Sequence, residues 1–396
     1  MENNSSQNNT QHQMHFRGTG GEYFAIWLVN ILLTAITLGI YSAWATVRRR
    51  RYFYGNTELN GDRFDYHAQP MQILKGRLLV IGGVILFYIL LFINPLLGMV
   101  AMLAFFALIP WIIIRSWRYN AIMSSYRGVR FNYLCQTGRA YWVLLFCPLL
   151  LVIGLYVVMI VLGLIGSNLG SPTAMIVLAV ITVILFVPML AAINGILATL
   201  QYDLYVNNLR FGNSPFVAQF KKAEFIKIAL FSLLIFLPFL AIALVLVGSF
   251  FATLFQMALF GGMSDAAMQG LMASHIGSLL MMMLVLLIGL MVSNSYMVVA
   301  QRNYIFNRTT LQGEVKLRST MQTLPYMMLL ITNSLITVFS LGLAAPVAHV
   351  RHARYMAQST QVEGDLSLLS VQAHHDTANN AIAEEAVQAL DLGTSF

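Results

Sequence analysis

The sequence predicts an all-α polytopic membrane protein. It reads as six transmembrane helices in three hairpins, two matching end segments, and short cytoplasmic β-hairpins. Three observations carry this. Of 396 residues, 58% are hydrophobic and only 10% are charged, against about 25% charged in a soluble chain. Six long runs lack Asp, Glu, Lys and Arg: Tyr23–Val47, Leu78–Ile114, Ala140–Tyr202, Ile228–Ser264, Ala266–Gln301 and Ser319–Val350; a charge at the bilayer centre costs ~2.5 kcal/mol or more. All 23 Lys and Arg fall between the resulting hairpins or beside the end runs. Too few polar side chains remain to cover a water-facing surface, which excludes an ordinary cytosolic enzyme and a disordered chain.

The chain divides into a polar N-terminal tail (1–15), a membrane domain with hairpin loops (16–368) and an acidic C-terminal tail (369–396). The first segment lacks a basic n-region, an apolar h-region and a cleavage site, so no cleaved signal peptide is expected. A span needs about 20 apolar residues. Leu78–Ile114 therefore holds two tight spans about Asn94-Pro95. Ala140–Tyr202 holds two, turning between Gly166 and Pro172. The next two runs hold one each, joined between Gly261 and Asp265. Asp265 is the only charged residue in these three turns. By the positive-inside rule every basic loop is cytoplasmic.

The end runs leave a parity problem. Arg48–Arg51 follow the first; Arg318 precedes the last, and Arg351 and Arg354 follow it. Either both end runs cross, giving eight spans, or both enter and return as re-entrant hairpins. Asn30–Ile40 matches Asn333–Leu343 without a gap, and the match continues through Arg48/Arg351, Arg51/Arg354 and Tyr52/Tyr355. The two end units therefore share one orientation.

A shorter pattern recurs: Tyr, a small polar residue five places on, and usually Gly four places later. Its copies are Tyr52/Thr57/Gly61, Tyr119/Ser124/Gly128, Tyr304/Thr309/Gly313 and Tyr355/Thr360/Gly364, with a weaker Tyr202/Asn207/Gly212. Turn-like pairs such as Asn60-Gly61, followed by alternating apolar residues, predict five β-hairpins. The fifth has Leu366 and Leu368 on its second strand. Pairing their edges into a sheet or cap would remove the exposed edges. The fifth hairpin belongs with the other four in the cytoplasm, which favours re-entry of the end runs. In the tail, Ile382, Ala386 and Leu390 stand at helical spacing, compatible with a solvated helix or with disorder.

The segment Thr34–Tyr52, the segment Gly55–Tyr66 and the opening Phe16-Arg-Gly-Thr-Gly-Gly-Glu-Tyr-Phe24 resemble the YjgN-like family, a bacterial inner-membrane family of unknown function. The resemblance covers roughly residues 16–368. It implies a multi-pass inner-membrane protein and supplies no activity or catalytic residue.

No phosphate loop, metalloprotease, nucleophile-elbow or dinucleotide motif occurs, so no enzyme, no catalytic residue and no cofactor is expected. Cys135 and Cys147 are too few for a disulfide framework or a structural zinc site. The net charge of +8 reflects loop orientation rather than nucleic-acid binding. Candidate polar groups at membrane depth are Asn30, Thr34, Thr37, Asn194, Ser293, Asn294, Asn333 and Thr337. They could line a path or pocket, or simply bond between helices. Arg48, Arg49, Arg50, Arg51, Arg351 and Arg354 are candidate contacts for anionic lipid head groups; the alternative is topology alone. Met257, Met263, Met268, Met272, His275 and Met281–Met283 could suit a soft metal, but adaptable packing is the better reading, so no metal site is expected. His349 and His352 read as interface residues, and Trp27, Trp44, Trp111, Trp117 and Trp142 as interfacial anchors. Two functions remain: passage or binding of a small molecule, ion or lipid, or a scaffold whose cytoplasmic cap recruits a partner. Membrane lipids are the expected partners; a protein partner or homo-oligomer stays open.

Overall fold

A computed structural model describes residues 11–259 and 264–364. Among the described residues, six helices are long and apolar enough to cross a membrane. They pair as α3 (Pro70–Ile93) with α4 (Pro95–Met123), α5 (Thr137–Ser167) with α6 (Pro172–Val206), and α7 (Lys222–Leu259) with α8 (Asp265–Phe306). The tips follow from capping chemistry. Asn94 ends α3 and starts α4, its Oδ1 accepting from Leu96 N at 2.8 Å, with Pro95 where no N–H is needed. Ser264 caps α8 by accepting from Ala267 N at 3.2 Å. Residues 260–263 of the third turn lie outside the described residues. In α5, Trp142–Phe146 forms a π-helical turn just before Pro148, whose missing N–H relaxes the ladder.

The end runs form shorter pairs: α1 (Gly20–Ile36) with α2 (Ser42–Gly55), and α9 (Thr323–Phe339) with α10 (Ala345–Gln358). Each turns through two left-handed residues, Leu38-Gly39 and Leu341-Gly342. Gly39 N donates to Thr34 O and Gly342 N to Thr337 O, both at 2.8 Å, a Schellman-type closure that only glycine tolerates easily. Tip residues Leu38 and Leu341 are 94% and 92% exposed.

The all-α expectation is corrected by the strands. There are ten among the described residues: β1 (Gln11–Phe16), β2 (Thr57–Leu59), β3 (Asp62–Tyr66), β4 (Ser124–Tyr126), β5 (Val129–Tyr133), β6 (Leu209–Phe211), β7 (Ser214–Ala218), β8 (Thr309–Leu311), β9 (Val315–Ser319) and β10 (Thr360–Glu363). They close into an antiparallel barrel in the order β1-β10-β9-β8-β7-β6-β5-β4-β3-β2, with β2 paired back to β1. The physical reason is edge satisfaction. A three- to five-residue hairpin leaves both edges unpaired; pairing each with the next, in an even number, removes every edge. The chain thus makes five units, each a strand, a helix pair and a returning strand. The helix pairs all leave one end of the barrel, and the turns lie at the other. Neighbouring units touch through α2/α3, α4/α5, α6/α7, α8/α9 and α10/α1.

Four predicted hairpins form. Asn60-Gly61, Arg127-Gly128 and Gln312-Gly313 all have positive φ, the I′ geometry that matches strand twist. The fifth expectation is corrected too: β10 pairs with β9 and with β1, and its supposed second strand lies outside the described residues. Gln11–His15, within the stretch read as a polar tail, belongs to β1.

Inside the barrel, five register pairs meet: Met14/Leu59, Phe64/Tyr126, Phe131/Phe211, Phe216/Leu311 and Leu317/Val362. They form one apolar cluster, with Phe64–Tyr126 and Phe131–Phe211 ring centroids 4.8 and 4.9 Å apart. One apolar side chain from each strand thus fills the axis.

The recurring pattern has a structural explanation. Its tyrosine closes its own unit at the start of the first helix. Tyr52 Oη donates to Thr19 O at 2.9 Å, Tyr355 Oη to Gln322 O at 3.1 Å, and Tyr304 Oη accepts from Lys221 N at 3.0 Å. Tyr119 Oη instead donates to Gln72 Oε1 at 3.0 Å. Its small polar residue holds the last helical turn: Thr57, Ser124, Thr309 and Thr360 each donate to the carbonyl four residues back.

Candidate functional site

The three threonines predicted at depth satisfy themselves. Thr34, Thr37 and Thr337 donate to the carbonyls of Asn30, Leu33 and Asn333, at 2.6, 2.7 and 2.8 Å. Such back-bonding is the usual way to hide a hydroxyl in a helix.

The two matched asparagines differ. Both are buried, Asn30 at 7% and Asn333 at 9% exposure. Asn333 is fully engaged: its Nδ2 donates to Ala348 O at 3.1 Å and its Oδ1 accepts from Arg351 Nη1 at 2.9 Å. Arg351 also donates to Thr332 Oγ1 at 3.0 Å. At the matching place in the first unit, Asn30 Oδ1 is buried without a hydrogen-bond partner. Arg48, the counterpart of Arg351, donates to Tyr41 Oη at 3.2 Å.

Several of the candidate lipid arginines join the units. Arg51 Nη2 donates to Ala68 O and Arg354 Nη2 to Gly18 O, both at 3.0 Å. Asn303 takes the same place in the fourth unit, donating to Met321 O at 2.8 Å. The residue before each of these tyrosines therefore latches onto the next unit, while the tyrosine closes its own. Arg50 donates to Tyr66 Oη and Asn120 Oδ1, at 2.8 and 2.5 Å. Arg48 and Arg49 are exposed on α2.

Asn194 and Asn294 are exposed on α6 and α8, and the structure does not bring them into one pocket. Asn194 adjoins Gly195, where α6 crosses α7 so closely that a Cβ would lie 2.7 Å from Ile226 Cα. Asn294 lines a lateral groove of about 420 Å3 between α7 and α8, with Ser232, Ser293 and three apolar side chains. Ser232 Oγ donates to Ser293 O at 3.0 Å. The groove offers an amide, a hydroxyl and thioethers to a ligand that is partly polar and partly apolar. Ser232 was not legible as a site residue, being a lone serine in an apolar run. Asn294 and Ser293 were.

In the methionine-rich segment, Met263 lies outside the described residues. His275 is held by Ser274 Oγ at 3.0 Å and packs edge-on to Phe250, while Met272, Met281 and Met283 are exposed. His349 packs on Tyr23 and His352 on Tyr326, with ring centroids 6.1 and 6.0 Å apart.

Residues 11–389 match a family described as "Bacterial protein of unknown function (DUF898)". The chain is similar to "Inner membrane protein YjgN" of Salmonella typhimurium (strain LT2), 31% identical over 372 residues, covering 93% of this chain and 92% of the relative. It is likewise similar to proteins of that name from Escherichia coli O157:H7, 31% identical, and strain K12, 29% identical, each over 90% of this chain and 89% of the relative. No solved structure matches.

Proposed function

Since the chain belongs to the DUF898 family, we propose that it is a multi-pass inner-membrane protein that binds a small lipid-like molecule entering from the bilayer plane. The observation that carries this reading is the contrast between axis and flank. Ten apolar side chains fill the barrel, which disfavours an aqueous path through it. At membrane depth the groove with Ser232, Ser293 and Asn294 opens sideways. Small-molecule sites typically combine such apolar walls with a few placed polar groups.

In this reading the barrel is cytoplasmic, because none of the three long-hairpin turns carries Lys or Arg. The five units are an internal repeat, and the first and fifth helix pairs are re-entrant. Three facts support re-entry. Both ends of each pair join paired barrel strands. The exposed tips Leu38 and Leu341 suit hydrocarbon rather than water. At about 1.5 Å per residue, α1 is roughly 25 Å long, too short to reach from the barrel across a core of about 30 Å. The role is binding rather than catalysis. Arg48 and Arg49, exposed on α2, remain suited to anionic head groups.

The test is native mass spectrometry of protein extracted with its own lipids. The expected result is a stoichiometric ligand on the wild type that is lost in Ser232→Val with Asn294→Leu. A ligand retained by the double variant, or a bare wild type, sinks the reading. A bare wild type would favour the second reading, a scaffold. The barrel's outward charged pairs, such as Arg127–Asp62 and Arg318–Glu363, supply that reading with a polar docking wall.

A further inference from the structure

The first and fifth helix pairs are built on one scaffold. Leu38-Gly39 and Leu341-Gly342 make the same left-handed turn. Thr34 and Thr337 each donate to the carbonyl of the asparagine four residues back, at 2.6 and 2.8 Å. The same 18 residues separate Asn30 from Arg48 and Asn333 from Arg351. In the fifth pair that spacing fastens α10 to α9: Arg351 Nη1 donates to Asn333 Oδ1 at 2.9 Å and Nη2 to Thr332 Oγ1 at 3.0 Å. In the first pair the corresponding bond is not made. Asn30 is 7% exposed and its Oδ1 has no donor. The exposed Arg48 instead reaches toward the tip, donating to Tyr41 Oη at 3.2 Å, about two helical turns away.

Two differences between the copies account for this. Val29 stands where the fifth pair has Thr332, which takes the second acceptor away from α1. Tyr41 stands where the fifth pair has Ala344, which adds a competing acceptor near the tip. A guanidinium is a rigid fork suited to two acceptors at once; α9 offers two and α1 offers one. The bond to Tyr41 is exposed, so water competes for it, whereas a buried acceptor without a donor is costly. These effects oppose each other and are of similar size, which is the condition for two populated arrangements.

We propose that Arg48 is a two-position latch: on Tyr41 it leaves the first helix pair loose, and on Asn30 it fastens α2 to α1 as Arg351 fastens α10 to α9. The fifth pair is then a fixed member of the ring and the first a movable one. The movable pair stands at the seam of the barrel, where β1 pairs with β10 and β2, and α1 packs on α10.

The test is hydrogen–deuterium exchange of the purified full chain in detergent, read at the backbone amides of α1. Tyr41→Phe removes the competing hydroxyl but keeps the ring that stacks on Trp44, with centroids 6.1 Å apart. It is expected to slow exchange in α1 about threefold or more, and Val29→Thr, which restores the second acceptor, about as much. Each gain should vanish when Asn30→Leu or Arg48→Gln is added, while α9 exchanges as in wild type. Slowing in either variant that Asn30→Leu abolishes supports the latch. No slowing in either, or slowing that persists with Asn30→Leu, would overturn it.

Discussion

Asn30 and Asn333 occupy matching places, yet only Asn333 has its carbonyl oxygen satisfied. A buried acceptor without a donor costs about 1–3 kcal/mol, whereas a hydrogen bond to a charged partner contributes about 1.5–3. Identical substitutions should therefore act differently. Asn333→Leu strips partners from Arg351 and Ala348 O, and is expected to destabilise by about 2–3 kcal/mol. Asn30→Leu removes an unsatisfied oxygen and should stay within about 1 kcal/mol of wild type. Thermal unfolding of the two variants in one detergent would decide it; equal losses would contradict the assigned partners. The tyrosines test the closing bonds in the same way. Tyr52→Phe and Tyr355→Phe each lose one hydroxyl on a helix start and should cost about 1 kcal/mol apiece.

Among the helices, α6 and α7 cross closely at Gly195. A Cβ at Gly195 would meet Ile226 N and Cα at 2.7 Å and Phe225 C at 2.9 Å, all backbone atoms that cannot rotate away. Small residues let membrane helices approach closely, where packing rather than hydrophobicity holds them. Gly195→Val is expected to part α6 from α7 and cost at least about 1–3 kcal/mol. Gly154→Val on α5 has nothing within 4 Å and serves as the control, expected to be near neutral. The short pairs follow another rule. Their left-handed tips suit Gly39 and Gly342, with the exposed Leu38 and Leu341 beside them.

At the scale of the molecule, closure depends on β1, which pairs with both β10 and β2. Removing Gln11–Phe16 would leave two bare edges and an opened apolar core. Fluorescence-detected gel filtration is expected to show aggregation of that deletion, and a monodisperse deleted chain would argue against the closed ring. Limited trypsin digestion gives a complementary result. Arg63, Arg130 and Lys316 sit in paired strands, so cleavage there should be slow in the folded protein and fast after denaturation. The seam also predicts a pH response. Arg17 donates to Glu58 at 2.9 and 3.1 Å and holds its carboxyl below the usual carboxylate range. That contribution is present above the ordinary carboxylate value of about 4.3 and fades as pH falls through the lower folded value. Between pH 5 and 3, wild type should therefore lose slightly more thermal stability than Arg17→Gln, a small difference because the pair is exposed.

The sequence by itself determined the membrane class, the six long helices and the short hairpin turns. These rest on local properties: runs without charge, capping residues such as Asn94, and glycines at left-handed positions. It also marked Asn333, Arg351 and Asn294 as worth attention, and placed Tyr52 and Tyr355 in matching roles. Only the tertiary structure decided that the hairpins close into a barrel and make the fold α and β rather than all-α. That closure pairs Gln11 with Glu363, residues at opposite ends of the described chain, and no local pattern encodes a contact of that range. The same holds for the sites. The orphaned oxygen of Asn30 against the satisfied one of Asn333, and the groove at Ser232, arise from side chains on different elements meeting, or failing to meet. Composition and spacing specify which groups are available; packing specifies which of them find partners.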